Sequence, residues 1–496
     1  MVLVKLKNYS INTKVKYSMF KFKIIIIILI SLCFPSVSKN SNKTLSYSGS
    51  KSLENLIKDN NYGIWSISVF DLSSNKEIYS YNKDLHLIPA SNQKLITTAT
   101  ALEFLGKDFR YINEVKYSGK ISDSTLNGNL YIYSKGDPTI GKDYFRSREK
   151  GFAAFDKLTL FLRDSIGIKS INGDIILPNK LPVKSRFGTG WELDDLSNYY
   201  AAPITNYSFN ENLIKVFIDK EKIKTDPEYG FIFNKIVDED SSCKLYRVAN
   251  SNEVDIISNF KSRYRKYLTV PNPPLLFKKL LIERMEEGGI NVSKEKITKS
   301  DKRKLIYRFY SNSLDSLLKK CNSESNNFFA EQIFRTTANE YRVSLDSLFE
   351  ITHKNSFYTN IEDSKTFKEI ISSIFGLDIK PADGSGLSRY NQLSSSEITS
   401  ILKFMYKSKN FEPFLSTLAK PGYKGTMESK FLSSETSEMV FGKTGSMTNV
   451  YSFSGYLITN SGKTIAFSFI NNNHQVSKRA IIGLIMEYIQ RLIIFF

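Results

Sequence analysis

The sequence predicts an α+β body, one antiparallel sheet covered by helices, opened once by a β-rich insertion. Three observations lead there. β-prone residues at 64–71 and 76–81 flank Ser73-Ser74-Asn75 and read as a hairpin. A second hairpin, 451–459 and 463–470 around Asn460-Ser461-Gly462, lies near the other end of the chain. Between about residues 110 and 270 short alternating strands dominate, unlike the helix-rich segments on either side.

In chain order, residues 52–60 read as a short helix before the first hairpin. Ala90-Ser91 then opens an apolar helix that runs to Leu105 and stops at Gly106, a C-terminal glycine. Strands follow at 111–117, 130–133 and 175–177, with Asn127-Gly128 and Asn172-Gly173 read as turns. Pro271-Asn272-Pro273-Pro274 punctuates the end of this region, and helices resume at 275–287, 314–321 and 328–341. The final stretch, 480–496, carries Glu487 and Arg491 on an otherwise apolar helix and is expected to pack on the sheet rather than cross a membrane. The expected division is residues 1–38, a discontinuous body of 39–110 with 285–496, and an inserted region of 111–284 forming one unit or two subdomains. At roughly 160–180 residues the insertion is itself domain-sized.

Composition narrows the chemistry. With 41% hydrophobic and 24% charged residues the chain is neither disordered nor fibrous. Three cysteines exclude a disulfide scaffold or Cys-rich zinc module, and three scattered histidines, His86, His353 and His474, leave little for metal chemistry. No metal or organic cofactor is expected, and histidine is not expected to be the main base. Lys14, Lys16, Lys21 and Lys23 precede an apolar run of 11 residues, 24–34, and Ser36-Val37-Ser38 offers small residues for cleavage. Residues 1–38 therefore read as a secretory signal peptide starting at Met1 or Met19, which places the protein in the periplasm or cell envelope. Leu32, immediately before Cys33, argues against lipoprotein cleavage. Cys243 and Cys321 are not expected to form a bridge. Losing the six lysines of 1–38 takes the net charge from +19 to +13. That excess favours peripheral contact with phospholipid headgroups or acidic wall polymers, and a Lys/Asn/Ile-rich codon bias explains it equally well. No nucleic-acid partner is expected, and the oligomeric state is left open.

The catalytic chemistry starts at Ser91-Asn92-Gln93-Lys94. Positions three apart on a helix share a face, so the hydroxyl and the amine can meet. Spacing alone is weak, since Ser73–Lys76, Ser241–Lys244 and Ser293–Lys296 share it. Only the copy at Ser91 leads into a long apolar helix that would bury the pair. Ser325-Asn326-Asn327 precedes another helix and projects a hydroxyl and an amide two residues apart. Lys443-Thr444-Gly445-Ser446 sits just before the last hairpin, with Gly445 expected to let a substrate lie flat on the strand and Lys443 to place a charge beside it. The three signals come in the order a Ser/Lys acyl-transfer site needs.

On these residues the sequence resembles the penicillin-recognising serine D,D-peptidases. It is most similar to the low-molecular-mass penicillin-binding D-Ala-D-Ala carboxypeptidases and endopeptidases that carry a large insertion after the first motif. The resemblance extends to Gly136-Asp137-Pro138-Thr139, Gly190-Trp191-Glu192, Tyr200-Ala201-Ala202-Pro203, Asp383-Gly384-Ser385-Gly386-Leu387-Ser388-Arg389 and Gly422-Tyr423-Lys424-Gly425-Thr426-Met427. The 234-residue distance from Ser91 to Ser325 fits the same group. Asn326 departs from the pattern, where Asp is the common choice. The resemblance implies a β-lactamase/transpeptidase-like domain, peptidoglycan stem peptides as substrate and β-lactams as covalent inhibitors. It also implies an acyl-enzyme on Ser91 with Lys94 as base, Ser325, Asn327 and Lys443 completing the catalytic set, and Thr444, Gly445, Ser446 and Arg389 as substrate-binding residues.

Both carboxypeptidase and endopeptidase action stay open at this point. A β-lactamase is disfavoured by the long insertion and by the lack of a suitably placed Glu-x-x-x-Asn, and a non-catalytic wall-binding protein by the intact Ser91, Lys94 and Lys443. Arg389 can meet an anionic part of the stem peptide or pair with Asp383. Asp137 reads as a turn former, Trp191 as a core aromatic and His474 as a hydrogen-bonded surface residue, while Asp194-Asp195 is discounted as an acid/base pair.

Overall fold

The computed structural model describes residues 57–58, 60–178, 186–220, 222–240, 242–247, 251–293, 302–348, 360–430 and 438–496. The expected signal peptide, and the helix at 52–60 apart from a helical fragment at 57–58 and a 3-10 turn at Asn60–Tyr62, lie outside these residues.

The central sheet joins the two ends of the chain. Strands β1 (Ile64–Asp71), β2 (Lys76–Tyr81), β3 (Val440–Met447), β4 (Val450–Ile458) and β5 (Thr464–Asn472) pair antiparallel in the order β3-β4-β5-β1-β2. Both expected hairpins are present to within two residues. Their local turns set the register, and the long-range step is β1 pairing β5, from Ile64↔Asn472 to Asp71↔Ile465. Because side chains alternate across the strands, one face buries Trp65, Ile67, Val69, Phe453 and Phe467. The C-terminal helix Lys478–Phe495 covers that face with Ile481, Ile485, Ile489 and Leu492. It therefore packs on the sheet as expected, and among the described residues no helix is long and apolar enough to cross a membrane.

The opposite face carries the helices. Helix Gln93–Leu105 is buried on every side from Gln93 to Leu102, among residues of Leu314–Asn322, Asn327–Leu348, Ser395–Lys407 and Phe411–Thr417. Its threonines can be buried because their hydroxyls bond carbonyls: Thr98 Oγ1 to Lys94 O at 2.7 Å, Thr100 Oγ1 to Ile96 O at 2.7 Å and Thr97 Oγ1 to Gly384 O at 2.7 Å. Ser395–Lys407, absent from the sequence reading, begins with a capping box in which Ser394 Oγ accepts from Glu397 N and Glu397 Oε2 from Ser394 N.

The insertion has its own core, from Val115 to Val292. Among the described residues it holds two four-stranded and two three-stranded sheets around two helices, Arg148–Leu160 and Pro273–Glu287, whose Phe155 and Phe277 rings meet at 5.0 Å. The first of these helices was not anticipated. Residue 284 falls inside Pro273–Glu287, and beyond it the strand Lys304–Tyr310 pairs with Ile112–Tyr117, so the inserted sheets draw in residues up to 310. Asn127-Gly128 does not close a hairpin, because Thr125–Asn127 and Leu130–Tyr133 enter different sheets. Glycine is needed there for close approach: a Cβ on Gly128 would lie 1.8 Å from Ser118 O. Cys243 and Cys321 are free and buried, one in the insertion's core and the other in the helical core.

Candidate active site

The fold brings Ser91, Lys94, Ser325, Asn327 and Lys443 to one place. Ser91 sits in a 3-10 turn, Ala90–Asn92, that leads into the buried helix. The turn is fastened to the sheet: Asn92 Nδ2 donates to Lys443 O at 3.1 Å and Ser452 Oγ at 2.7 Å, and Ser452 Oγ donates to Pro89 O at 2.6 Å. Ala90 has φ +46° and Ser325 φ +56°, left-handed values that cost energy for residues with a Cβ. Such strain persists only where surrounding contacts over-determine it.

Lys94 is fully buried. Its Nζ donates to Ser91 Oγ at 3.0 Å, Asn327 Oδ1 at 2.6 Å and Ser385 O at 2.6 Å. None of these acceptors is charged. Burial pushes its pKa from 10.5 down to about 8, against the opposing pull of Asp383, Cys321 and Glu331. Lys443, also fully buried, donates to Ser325 Oγ at 2.8 Å and Thr444 O at 2.7 Å. Burial, and then the charges of Lys94 and Lys430, hold it well below its ordinary value. Asn327 is fixed by two contacts, since its Nδ2 donates to Tyr200 O of the insertion at 2.9 Å while its Oδ1 accepts from Lys94.

Asn326 performs a different task. Its Oδ1 accepts from Phe329 N at 2.9 Å at the start of helix Asn327–Leu348, and its Nδ2 donates to Glu211 Oε2 at 2.7 Å. The departure from Asp thus lies at a structural position, where the amide both caps the helix and holds the insertion's Glu211.

Gly445 lies against the Ser91 turn. The close approach that requires glycine is to the protein itself: a Cβ would lie 2.2 Å from Ser452 Oγ, 2.8 Å from Pro89 O and 2.9 Å from Ser91 N. Gly445→Ala should push the Ser91 turn off the strand. We expect it to cost about 1–3 kcal/mol of stability and at least about 100-fold in acylation rate, read by denaturant melts and by penicillin-binding kinetics.

Sequence reasoning missed the scaffold behind Lys94. Glu331, 1% exposed, accepts from Gly384 N and Ser385 N, both at 2.8 Å, and so aims the Ser385 carbonyl at Lys94. Burial raises the Glu331 pKa to about 8. Its signal was its position on the helix face opened by Asn327, four residues earlier. Glu331→Gln retains an acceptor for both N–H groups, whereas Glu331→Leu leaves them unpaired at about 1–3 kcal/mol each. Thermal melts of the two variants should separate accordingly.

Asp383 does not pair with Arg389. Buried to 1% exposure, it accepts instead from Trp191 Nε1 at 2.9 Å, Gly386 N at 2.7 Å, Ser388 N at 2.8 Å and Asn391 Nδ2 at 2.7 Å, which leaves its oxygens no room for a guanidinium. Arg389 turns outward to Glu192 Oε1 at 2.9 Å. Trp191 is half-buried and joins insertion to body through Asp383. Asp137, a turn former as expected, accepts from Thr139 N at 2.8 Å and Asn113 Nδ2 at 2.9 Å. His474 is buried rather than on the surface and meets Asn471 Oδ1 through Nδ1 at 2.8 Å. Ser446 is exposed and Thr444 is 6% exposed, two positions apart on the edge strand β3. Among the described residues no group of acidic, His or Cys side chains could hold a metal ion.

A hydroxyl in contact with a buried amine, backed by a second Ser/Lys pair and an amide beside an edge strand, defines a serine peptidase of the penicillin-recognising class. The chain belongs to the D-Ala-D-Ala carboxypeptidase 3 (S13) family, whose model matches residues 50–489, and is thus a serine-type D-Ala-D-Ala carboxypeptidase. It is 26% identical over 422 residues to the D-alanyl-D-alanine carboxypeptidase DacB of Haemophilus influenzae, covering 81% of this chain and 84% of that one. The penicillin-sensitive carboxypeptidase A of Dictyostelium discoideum is 25% identical over 455 residues, covering 83% of each. The fold matches the crystal structure of penicillin binding protein 4 (dacB) from H. influenzae with a TM-score of 0.74 and 23% identity, over 90% of this chain and 99% of that one.

Proposed function

We propose that the five clustered residues cleave peptidoglycan stem peptides in two steps. Lys94, as the free amine, takes the Ser91 proton while Oγ attacks the carbonyl of the penultimate D-alanine. Backbone N–H groups of Ser91 and Ser446 receive the oxyanion, each worth roughly 3–4 kcal/mol in such sites. Collapse breaks the peptide bond, and the leaving amine takes a proton through Ser325 with Lys443 behind it. Asn327 holds the substrate amide, and Thr444 and Ser446 the terminal carboxylate. Water then hydrolyses the ester on Ser91, giving carboxypeptidase action on a terminal residue or endopeptidase action on a cross-link. Arg389, paired with Glu192, meets an anionic part of the stem peptide.

The observation that carries this reading is the contact of a fully buried, carboxylate-free Lys94 with Ser91. Incubation with a fluorescent penicillin, followed by mass spectrometry, tests it. A slowly hydrolysed adduct on Ser91 supports the peptidase, rapid turnover favours a β-lactamase, and a protein without any Ser91 adduct rules out both.

The insertion's own core supports a discontinuous body, 39–110 with 285–496, opened by an insertion at 111–284 whose sheets extend to Tyr310 and whose Tyr111, Ala202, Ile204 and Leu213 join the helical core of the body. Action on the wall and the basic segment at 1–38 together support export to the periplasm or envelope.

A further inference from the structure

Three successive residues of the insertion, Asn210, Glu211 and Asn212, have left-handed backbones, with φ of +51°, +57° and +58°. Asparagine adopts this conformation readily, whereas glutamate does so at a cost. The surroundings hold the turn in place. Asn210 and Asn212 are buried, with Asn210 Nδ2 donating to Leu213 O at 3.0 Å and Asn212 Nδ2 to Pro203 O at 2.7 Å. Asn210 N also donates to Ile140 O, and Val270 N to Asn212 O, both at 2.9 Å. A strained glutamate fixed by so many neighbouring contacts marks a side chain that has to be presented to something.

Glu211 is presented to the loop that carries Ser325. Its Oε1 accepts from Lys320 Nζ at 2.5 Å and its Oε2 from Asn326 Nδ2 at 2.7 Å. Lys320, in the last turn of helix Leu314–Asn322, and Asn326, just before helix Asn327–Leu348, bracket that loop and are joined also by Asn326 N to Lys320 O at 3.2 Å. One carboxylate thus clamps both ends. Between them Ser325 keeps its own left-handed backbone, φ +56°, with Oγ accepting from Lys443 Nζ. Without the clamp the serine would relax towards ordinary backbone angles and swing that hydroxyl off Lys443. The clamp also dictates its partner. The Oδ1 of Asn326 is taken by Phe329 N, so the atom facing Glu211 has to be a donor. An amide supplies one, whereas Asp, the common choice here, would set a second carboxylate against the first.

We propose that Glu211 is a positioning residue for acyl transfer: from the insertion it holds the Ser325 hydroxyl on Lys443, and it fixes Asn326 as its matching partner. This rests on the acyl-transfer reading above, in which Ser325 passes the proton to the leaving amine. Glu211 acts through Lys320 and Asn326, so its loss slows the chemical step rather than weakening substrate binding.

The test measures D-alanine release from a pentapeptide ending in D-Ala-D-Ala, each protein being assayed well below its unfolding midpoint. Asn326→Asp opposes two carboxylates, and Glu211→Gln turns an NH2 group towards either Lys320 or Asn326. Each should lose about tenfold or more in kcat, with KM within about threefold of wild type. In the double variant Glu211→Gln/Asn326→Asp the hydrogen bond is reversed: the new amide donates to the new carboxylate and still accepts from Lys320. Its kcat should return to within about threefold of wild type, a rescue that loss of stability alone does not produce. Single variants as fast as wild type, or a double variant no faster than Asn326→Asp, overturn the positioning role alone. Where Asn326→Asp does not fold, the double variant is compared with Glu211→Gln, and equal rates overturn it. A wild-type enzyme that releases no D-alanine overturns the acyl-transfer reading and the positioning role together.

Discussion

Ser91→Ala is expected to lower D-alanine release from a pentapeptide by about 10⁴-fold or more and to remove the penicillin adduct, with the denaturation midpoint nearly unchanged. The size follows from the geometry. Ser91 Oγ has Lys94 Nζ as its hydrogen-bond partner at 3.0 Å, and the neighbouring hydroxyl, on Ser325, is engaged by Lys443 at 2.8 Å. Removing one partly buried oxygen leaves the fold's anchors untouched, because the turn is held by Asn92, Ser452 and Pro89 rather than by Ser91. Lys94 also keeps Asn327 and Ser385 O as acceptors. Release by the Ala variant at the wild-type rate would assign the nucleophile elsewhere.

The second large effect concerns Lys94. Lys94→Met should reduce acylation by about 10²–10⁴-fold, the usual contribution of a positioned base. In the wild type the base must be the free amine. With a pKa of about 8, roughly a tenth of the molecules carry it at pH 7, so kcat/KM should climb with pH and level off above about 8. The stability consequence has a definite sign. The unfolded chain keeps this proton up to about 10.5, whereas the folded chain releases it near 8, so between these values the unfolded state binds more protons and stability rises with pH. Below about 8 that contribution is absent. Denaturant midpoints at pH 8 and 10 for wild type and Lys94→Met should show the rise attributable to Lys94 in the wild type alone. An acid limb centred near the ordinary lysine value would mean that burial does not depress this amine.

The parts of the fold legible in the sequence are those with short-range causes. The hairpins at Ile64–Tyr81 and Val450–Asn472 follow from period-two patterns around turn residues. The helix after Ser91 was visible because ten consecutive residues avoid Gly, Pro and charge except for Lys94, which is what complete burial requires. Helix Ser395–Lys407 carries a local signal too, the capping pair Ser394 and Glu397. Strand Lys304–Tyr310 gave no such signal of its partner, since Tyr310 meets Ile112 across almost the whole insertion.

The candidate site divides in the same way. Ser91-x-x-Lys94, Ser325-x-Asn327 and Lys443-Thr444-Gly445 are short strings whose chemistry can be recognised from residue type and order, and the sequence alone determined the α+β body and pointed to these strings as its candidate Ser/Lys acyl-transfer set. Tertiary structure decided how they are tuned. Only packing shows that Glu331 steers the Ser385 carbonyl onto Lys94, that Asp383 is enclosed and leaves Arg389 to Glu192, and that Gly445 makes room for the Ser91 turn. Lys478 could not be placed beside Ser446 by any local pattern. A side chain's type is written in the sequence, but its pKa and its partners depend on burial and on groups brought close by long-range packing, which no periodicity encodes.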